Sequence, residues 1–319
     1  MNSLNEIGRE FKKAKSVLLF PHINMDGDCL GSSVALAHVL RKLGKDAHVI
    51  IEDDVPGNLK FLDQDYCTRD TSVVADPDIT VAVDGYGKER MPERLDVFLA
   101  GKTKITLDHH AISDEKEGLE YTDPEAAAVG EIVFDLLNEM EIEIDEETAA
   151  ALFAAITTDT GDFQHSNCTK RTHEIAAALY DSGFNHNAVS NEIYGNVSLA
   201  KVKLEAAAMS NIEFVSEGRG ALVCITQKML DETGASLDDT EGISGMVRNI
   251  AGVEISAVLK ENEPEKVKVS MRAKTTANVG AICRKFGGGG HIKAAGYTYF
   301  KTIDQTKAEL KEAIIEELK

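Results

Sequence analysis

The sequence predicts an α/β protein with two domains. In the first half, short apolar runs alternate with helical stretches, a pattern that favours a parallel sheet with helices on both faces. After about residue 211 the apolar runs follow one another as hairpin-like strands, which predicts a smaller mixed α/β domain. The length of 319 residues is enough for two domains of average size.

The first predicted domain covers residues 1–195. Its strands are predicted at 16–21, 47–51, 79–83 and 104–107, and its helices at 30–43, 126–140, 146–157 and 171–181. These strands are short and almost entirely apolar, as expected for strands covered on both faces. Ligands of such sheets gather beyond the carboxyl ends of the strands, so the residues that follow each strand are candidates for the functional site.

The second half is divided at residue 211. Residues 196–210 are predicted to be a helical connector, because SLAKVKLEAAAMS reads as one polar, alanine-rich helix. The C-terminal domain is predicted over residues 211–319, with strands at 212–216, 221–226, 254–261 and 266–273.

Composition and charge limit the possible functions. The chain has 34 basic and 54 acidic residues and a formal net charge of −20, which disfavours capture of long duplex nucleic acid. A short anionic ligand held by a local basic patch or by metal ions is not excluded. No apolar run is long enough for a membrane span, and the opening residues lack the apolar segment of a signal peptide. The 5 cysteines form no CxxC pair, so reduced thiols and a cytoplasmic location are expected.

Acidic residues and histidines follow several predicted elements at the point where each one ends. The set consists of His22, Asp26, Asp28, Asp84, Asp108, His109, His110 and Asp159. Carboxylates gathered at one edge of a buried sheet repel one another unless cations neutralise them. Oxygen and imidazole ligands without cysteine favour Mn²⁺ or Mg²⁺ over structural zinc, and the set exceeds the needs of one ion. The sequence therefore predicts a two-metal site of the kind that hydrolyses phosphoesters.

A basic segment lies in the second half of the acidic chain. Residues 266–293 contain seven Lys or Arg and no Asp or Glu. A solvated basic face is the simpler interpretation, but the run Gly287–Gly290 followed by His291 favours an anion site, because glycines let backbone N–H groups approach a phosphate. The candidate substrate-binding residues are Arg272, Gly288, Gly289, Gly290 and His291.

Four segments of the first half resemble the motifs of the DHH phosphoesterases: HINMDGDCLGS, VDGYGKERM, LDHH and TDTGDF. The second half resembles the DHH-associated domain through Ser270-Met-Arg272 and GGGGHIKAAG. The two-domain layout is most similar to the bacterial NrnA-type branch of nanoRNases and pAp phosphatases. That resemblance implies hydrolysis of 2–5-mer RNA to 5′-mononucleotides and removal of the 3′-phosphate of adenosine 3′,5′-bisphosphate (pAp).

The resemblance also implies roles for the site residues. His22 and Asp26 would bind one metal ion, Asp28 and His109 the other, Asp84 would bridge the two, and Asp159 would complete the set. His110 would face the substrate phosphate, and Asp108 would lie behind the histidines and fix an imidazole tautomer. The expected cofactor is two Mn²⁺ ions, with Mg²⁺ or Co²⁺ as alternatives. Met25 and Tyr86–Gly87 differ from residues common in the family, but neither change removes a ligand.

Other functions remain open at this level. Within the same chemistry, linear dinucleotides such as pApA or pGpG compete with short RNA and pAp, while longer single-stranded DNA is disfavoured by the charge. An inorganic pyrophosphatase would share only the first half. A non-catalytic nucleotide-sensing module is the alternative from another class. The expected partners are short single-stranded RNA and pAp, without long duplexes or membranes, and a homodimer is one arrangement that the sequence allows. The sequence leaves the native metal, the polarity of attack and the oligomeric state undetermined.

Overall fold

The computed structural model describes residues 2–110 and 117–319, which form two compact units, Met1–Asn196 and Val197–Lys319. Each unit is built on one six-stranded sheet. The predicted α/β class, with a parallel sheet in the first half and a mixed sheet in the second, is confirmed. No helix in the described ranges combines the length and the apolar character that crossing a bilayer requires.

The sheet of the first unit is parallel throughout, with the strand order β3-β2-β1-β4-β5-β6. Its strands are β1 (Ser16–Pro21), β2 (Asp46–Ile50), β3 (Cys67–Thr68), β4 (Ile79–Val83), β5 (Thr103–Asp108) and β6 (Leu119–Thr122). Chain order reverses between β1 and β4, the position at which open α/β sheets bind ligands. All of β4 and nearly all of β1 are buried, which explains their unbroken apolar sequences.

Helices cover this sheet. They are α1 (Leu4–Lys13), α2 (Gly27–Lys42), α3 (Leu95–Leu99), α4 (Val129–Glu139), α5 (Glu146–Asp159), α6 (Lys170–Tyr180) and α7 (His186–Ser190). Helices α2 and α5 pack closely because Gly31 lacks a side chain, since a Cβ atom there would lie 2.5 Å from the carbonyl oxygen of Ala151. A Cβ atom on Gly27 would likewise lie 2.3 Å from Oγ1 of Thr158, so the start of α2 also packs closely on the end of α5, and both of these helix ends carry predicted site residues.

The sheet of the second unit has the order β11-β12-β10-β9-β8-β7 and is antiparallel except between β8 and β9. Its strands are β7 (Glu213–Val215), β8 (Gly220–Ile225), β9 (Ile255–Glu263), β10 (Lys266–Ala273), β11 (Gly289–Gly290) and β12 (Ala294–Tyr299). Its helices are α8 (Leu199–Ser210), α9 (Gln227–Thr233), α10 (Ile243–Asn249), α11 (Val279–Lys285) and α12 (Ile303–Glu317). One face packs on α11 and α12, and the other packs on α8 and α10.

The predicted elements agree with the structure in kind and differ at their ends. Strands β1, β4 and β10 have the predicted bounds. Helix α2 begins three residues earlier than predicted, because the Asp26 side chain accepts the N–H of Cys29 and caps the helix. Elements that were not predicted include the strands β3, β6, β11 and β12 and the helices α1, α3, α7 and α12. Helix α8, predicted as a connector, places Leu204 and Ala208 in the core of the second unit. The domain limits 1–195, 196–210 and 211–319 stay predictions.

Candidate active site

The sheet register brings three candidate residues to one edge. Pro21 pairs with Val83, and Val83 pairs with Leu107, so β1, β4 and β5 end side by side. His22, Asp84 and Asp108 occupy the positions immediately after these paired residues. Because all three strands are parallel, their carboxyl ends deliver these side chains to the same place.

The first turn of α2 carries two more candidates in different roles. Asp26 is the N-cap, and its Oδ1 accepts the N–H of Cys29 at 3.0 Å. Asp28 is fully buried and accepts the N–H groups of Val129 at 2.7 Å and Gly130 at 2.9 Å. These N–H groups lie in the first turn of α4, where they have no acceptor within the helix. The two bonds hold the Asp28 carboxylate in one orientation.

Two histidines present the same ring nitrogen to the carboxylates. Nδ1 of His22 lies 2.7 Å from the carbonyl oxygen of Ile23, and Nδ1 of His109 lies 3.1 Å from that of Ala126. A carbonyl oxygen only accepts, so each Nδ1 carries a proton, and when the ring is neutral its lone pair lies on Nε2. Nε2 of His22 lies 3.3 Å from Asp84 Oδ2, and Nε2 of His109 lies 3.4 Å from Asp84 Oδ1.

Asp84 stands between these two histidines and is unsatisfied as a buried acceptor. It is 3 % exposed, and its Oδ1 has no hydrogen-bond partner among the described residues. Its backbone is in the left-handed region with φ of 60°, an uncommon conformation that aims the side chain out of the strand direction. A buried, unpaired carboxylate oxygen costs folding free energy unless a cation compensates for it.

The remaining carboxylates add to the negative charge of this site. Burial, reinforced by Asp84 and Asp159, raises the pKa of Asp28 well above its usual value. Burial also raises the pKa of Asp159 to about 6, although His109 acts in the opposite direction. Ionisation of Asp28 and Asp159 is therefore unfavourable here without added positive charge, and bound divalent cations are the usual source of it.

Among the described residues, three groups of ligand atoms lie close enough to hold a metal ion, and two of these groups share His109. The groups are His22, Asp26 and Cys29; Asp84, His109 and His110; and Asp28, His109 and Asp159, with the atoms of each group within 4.8 Å of one another. The donor set and the orphaned Asp84 oxygen fit divalent metal ions. Cys29 is buried, and burial raises the pKa of its thiol to about 12, so it stays protonated in this environment.

His110 is held differently from its neighbour His109. Nδ1 of His110 lies 2.8 Å from Asp108 Oδ1, which also accepts the backbone N–H of His110 at 3.0 Å. This hydrogen bond, opposed by partial burial, raises the pKa of His110. Asp108 thus fixes the tautomer and orientation of His110, while His109 is fixed by a backbone carbonyl.

The second unit brings its own candidates together. Arg272 on β10 pairs with Ala294 on β12, and the His291 N–H is donated to the Ala294 carbonyl at 2.8 Å. The half-buried Arg272 and the exposed His291 therefore flank the start of β12. Gly289 and Gly290 form the edge strand β11 against the same strand.

The glycine run also has a structural role that the sequence analysis missed. The Gly287 N–H donates to the carbonyl oxygen of Arg284 at 3.1 Å, and the Gly288 N–H donates to the carbonyl oxygen of Cys283 at 2.9 Å. These two bonds close helix α11 with a Schellman motif. Position 288 does not accommodate a side chain, because a Cβ atom there would lie 2.3 Å from the carbonyl oxygen of Gly296. The N–H of Gly288 is consequently engaged, and an anion site in this loop would depend on Gly289, Gly290 and His291.

Two further residues support the site in the first unit. The Asn167 side-chain amide donates to the carbonyl oxygens of Ala127 at 3.0 Å and Asp159 at 3.2 Å, which ties the end of α5 to the segment that holds His109. The Arg90 side chain packs over Gly85, within 3.3 Å of the position of a Cβ atom there, and its charge acts on His110. Both residues lie in or just beyond the motifs quoted above, but nothing in their spacing distinguishes them from ordinary loop residues.

Comparison with known proteins gives consistent matches for both units. Residues 16–156 match the model of the DHH family N-terminal domain, and residues 221–319 match the DHHA1 domain. A relative from Thermus thermophilus, named bifunctional oligoribonuclease and PAP phosphatase NrnA, is 30% identical over 95% of this chain and 90% of its own length.

Solved structures share the fold. An exopolyphosphatase-related protein from Bacteroides fragilis has a TM-score of 0.93 at 24% identity, covering 99% of this chain and 96% of that one. The exonuclease RecJ, crystallised with bound manganese, has a TM-score of 0.56 at 14% identity over 100% of this chain and 94% of that one. With both of its domains matched and its site residues gathered at the sheet edge, the chain belongs to the DHH family and carries a DHHA1 domain.

Proposed function

We propose that this chain is a metal-dependent phosphoesterase that hydrolyses short RNA oligonucleotides, 2–5-mers, to 5′-mononucleotides and removes the 3′-phosphate of pAp. The observation that carries the proposal is the buried Asp84 carboxylate between Nε2 of His22 and Nε2 of His109. The name of the Thermus thermophilus relative, which this chain matches over nearly its whole length, supports the choice of substrates.

This geometry supports the metal ligands that we propose. His22 and Asp26 would hold one ion, Asp28 and His109 the other, with Asp84 shared between them and Asp159 completing the set. Divalent ions bound here would neutralise charge on the phosphate and lower the pKa of an attacking water. Mn²⁺ is the proposed ion, because carboxylate and imidazole ligands suit it and RecJ, which shares the fold, was crystallised with it.

The protein's own groups position the reactants. The carbonyls of Ile23 and Ala126 keep His22 and His109 in the tautomer that leaves Nε2 free of a proton. Asp108 accepts the Nδ1–H of His110 and raises the pKa of the ring, which favours the imidazolium that would donate its Nε2–H to the substrate phosphate. Arg272, His291 and the N–H groups of Gly289 and Gly290 would hold another phosphate of the substrate, Arg272 through its two-pronged donor geometry.

The test offers pAp, pApA and a 24-mer RNA separately to the purified protein with Mn²⁺, and measures mononucleotide release by chromatography. We expect fast release from pAp and pApA and little from the 24-mer. Release from pApA without pAp would replace the proposal by a dinucleotide phosphodiesterase. Metal binding without any release would replace it by a nucleotide-sensing module.

The partners follow from the same proposal. Short single-stranded RNA and pAp are the proposed ligands, and long duplex nucleic acid is disfavoured by the net charge of −20. A homodimer and a cytoplasmic location stay predictions from the sequence.

A further inference from the structure

The first turn of α2 carries a thiol beside the candidate metal ligands. Cys29 is fully buried, its N–H donates to Oδ1 of Asp26 at 3.0 Å, and its Sγ lies 3.6 Å from the Asp26 carbonyl oxygen. The other carboxylate oxygen, Oδ2 of Asp26, lies 3.5 Å from Nε2 of His22. An imidazole nitrogen, a carboxylate oxygen and a thiol sulfur therefore lie within 4.8 Å of one another.

The spacing of these donor atoms suits a tetrahedral divalent ion. Bonds of about 2.0–2.3 Å from such an ion to nitrogen, oxygen or sulfur place neighbouring ligand atoms about 3.3–3.8 Å apart. Nε2 of His22 lies 3.5 Å from Asp26 Oδ2 and 3.3 Å from Asp84 Oδ2. His22, Asp26 and Asp84 thus already have the spacing of three ligands. The Cys29 sulfur is at most 4.8 Å from the His22 and Asp26 ligand atoms, so a shift of about 1 Å or less would make it the fourth.

The other metal position offers a different set of donor atoms. Its group of ligand atoms consists of Asp28, His109 and Asp159, which supply carboxylate oxygens and an imidazole nitrogen. Carboxylate oxygens suit hard ions such as Mn²⁺ and Mg²⁺, whereas thiolate sulfur suits softer ions such as Zn²⁺. The two positions therefore differ in the softness of their ligands.

Core packing is the simpler role for a buried cysteine. Cys29 does belong to the hydrophobic core of the first unit, and burial raises the pKa of its thiol to about 12, so the thiol is protonated when no ion is bound. Packing does not require the sulfur to lie beside the His22 ring, nor a deeply buried Asp84 carboxylate with one oxygen unpaired among the described residues. Both features are expected where a cation completes the site.

We propose that Cys29 is a thiolate ligand for a thiophilic divalent ion, such as Zn²⁺, held with His22, Asp26 and Asp84, so that the two metal positions prefer different ions. The inference rests on the proposed metal-dependent function and deepens it. Binding forms a metal–sulfur bond, breaks the S–H bond and releases that proton to solvent, and no electron is transferred. Mn²⁺ remains suited to the position that lacks sulfur.

The first test is the absorption spectrum of the full chain loaded with Co²⁺, which serves as a spectroscopic substitute for Zn²⁺. A cobalt–thiolate bond gives a sulfur-to-cobalt charge-transfer band in the near ultraviolet, which carboxylate and imidazole ligands do not give. We expect this band in the wild type and its loss in Cys29→Ser, which keeps the size of the side chain and replaces sulfur by a harder oxygen. Zn²⁺ binding should also release about one proton fewer from this variant.

Competition between Zn²⁺ and Mn²⁺ measures the preference of the site. Equilibrium dialysis gives the Kd of the tightest equivalent of each ion for the full chain. We expect the ratio of the Mn²⁺ Kd to the Zn²⁺ Kd to fall by about tenfold or more in Cys29→Ser, because the softest ligand is lost. A role in packing alone would weaken both ions together and would give no charge-transfer band.

The matched control is Cys67→Ser. The N–H of Cys67 donates to Oδ1 of Asp63 at 3.0 Å, as that of Cys29 does to Asp26, but its thiol joins none of the groups of metal-ligating atoms found among the described residues. We expect the wild-type band and the wild-type ratio from this control. Melting temperatures without metal check folding, and Cys29→Ala replaces Cys29→Ser if the serine variant does not fold. A wild type without the band, a band that persists without Cys29, or equal loss in the control overturns the inference.

Turnover distinguishes this inference from the proposed function. If the wild type with Mn²⁺ hydrolyses neither pAp nor short RNA but shows the band that depends on Cys29, the proposed function fails and the thiolate ligand stands. If the wild type hydrolyses both substrates and the band is absent, the thiolate ligand fails and the proposed function stands.

Discussion

At the scale of single residues, the site depends on which atom of each side chain is left free. Nδ1 of His22 and Nδ1 of His109 each donate to a backbone carbonyl oxygen, and both Nε2 atoms face Asp84. Asp84 itself adopts a left-handed backbone conformation, and one of its buried oxygens has no hydrogen-bond partner in the part of the chain that the structure describes. Such unsatisfied groups are rare in folded proteins, and they concentrate where a ligand completes the structure.

The first residue-scale prediction concerns Asp84→Asn. Asparagine tolerates the left-handed backbone and has nearly the same shape, so the fold should persist. We expect turnover of pAp to fall by about 100-fold or more, with a lower Mn²⁺ stoichiometry, because the shared ligand loses its charge. Without metal, the melting temperature should stay equal or rise, because an unpaired buried carboxylate has been removed.

Asp65→Asn is the matched control for this prediction. Asp65 also has a left-handed backbone, with φ of 64°, but it lies in an exposed turn before β3. We expect wild-type turnover from this variant. Wild-type turnover from Asp84→Asn as well would refute the assignment of Asp84 as a shared ligand.

At the scale of elements, helix and strand ends position the functional groups in both units. In the second unit, the loop between β10 and α11 is held by the buried Glu254, which accepts the N–H groups of Thr275, Thr276 and Ala277. Burial alone would raise the pKa of Glu254, but these bonds and the Thr275 hydroxyl lower it to about 2. The loop follows directly after Arg272, so its anchoring also fixes the end of the strand that carries the arginine.

The pH dependence of this anchor has a definite sign. Because the folded-state pKa of Glu254 lies below the unfolded value, its contribution to stability is complete above about pH 5 and disappears as the pH falls toward 2. We expect Glu254→Gln to lower the free energy of unfolding of the second unit by about 1–3 kcal/mol at pH 7. The difference from the wild type should shrink as the pH approaches 2.

Amide hydrogen exchange of β9 and β10 measures this effect within the second unit. Glu232→Gln serves as the control, because Glu232 is exposed and its contact with Lys228 is a 3.6 Å surface pair. A Glu254→Gln variant whose deficit is the same at pH 3 and pH 7 would contradict the role given to the ionised carboxylate.

At the scale of the whole molecule, an excess of acidic residues coexists with a local concentration of cations. The chain carries a net charge of −20, yet Lys260, Lys268 and Arg272 share one face of the second sheet. Such a distribution repels long polyanions at a distance and binds short ones locally, because screening limits the range of the repulsion to about 8 Å at physiological salt. The charge pattern thus agrees with a preference for short substrates.

The whole-molecule prediction concerns metal binding and stability. If Mn²⁺ binds only the folded site, the first unit should be stabilised by about 4 kcal/mol at 1,000 times the dissociation constant. Hydrogen exchange should slow in β1, β4 and the first turn of α2, while the second unit is unchanged. The same titration with Asp84→Asn should give a much smaller effect, and equal slowing in both units would argue against a site confined to the first.

Much of the fold was predictable from the sequence, for a local physical reason. Strands β1 and β4 are unbroken apolar runs, and β10 alternates apolar and polar residues. In each of the three strands the pattern of apolar residues matches the pattern of burial, so the strand can be predicted from its own residues. The short strands β3 and β6 could not be predicted, because each has only a few half-buried residues and forms through its neighbour in the sheet. The helix at Gly27–Lys42 was predicted too short because its start depends on a side-chain cap.

The sequence by itself determined the residue types of the site and their positions at the ends of elements, since the chemistry of metal and phosphate binding restricts both. Only the tertiary structure decided which atoms face which. The tautomers of His22 and His109, the orphaned oxygen of Asp84 and the opposition of Lys260 to Lys268 all depend on contacts between segments distant in the chain. Strand register and backbone dihedral angles set these contacts, and neither can be predicted from the local pattern of residues.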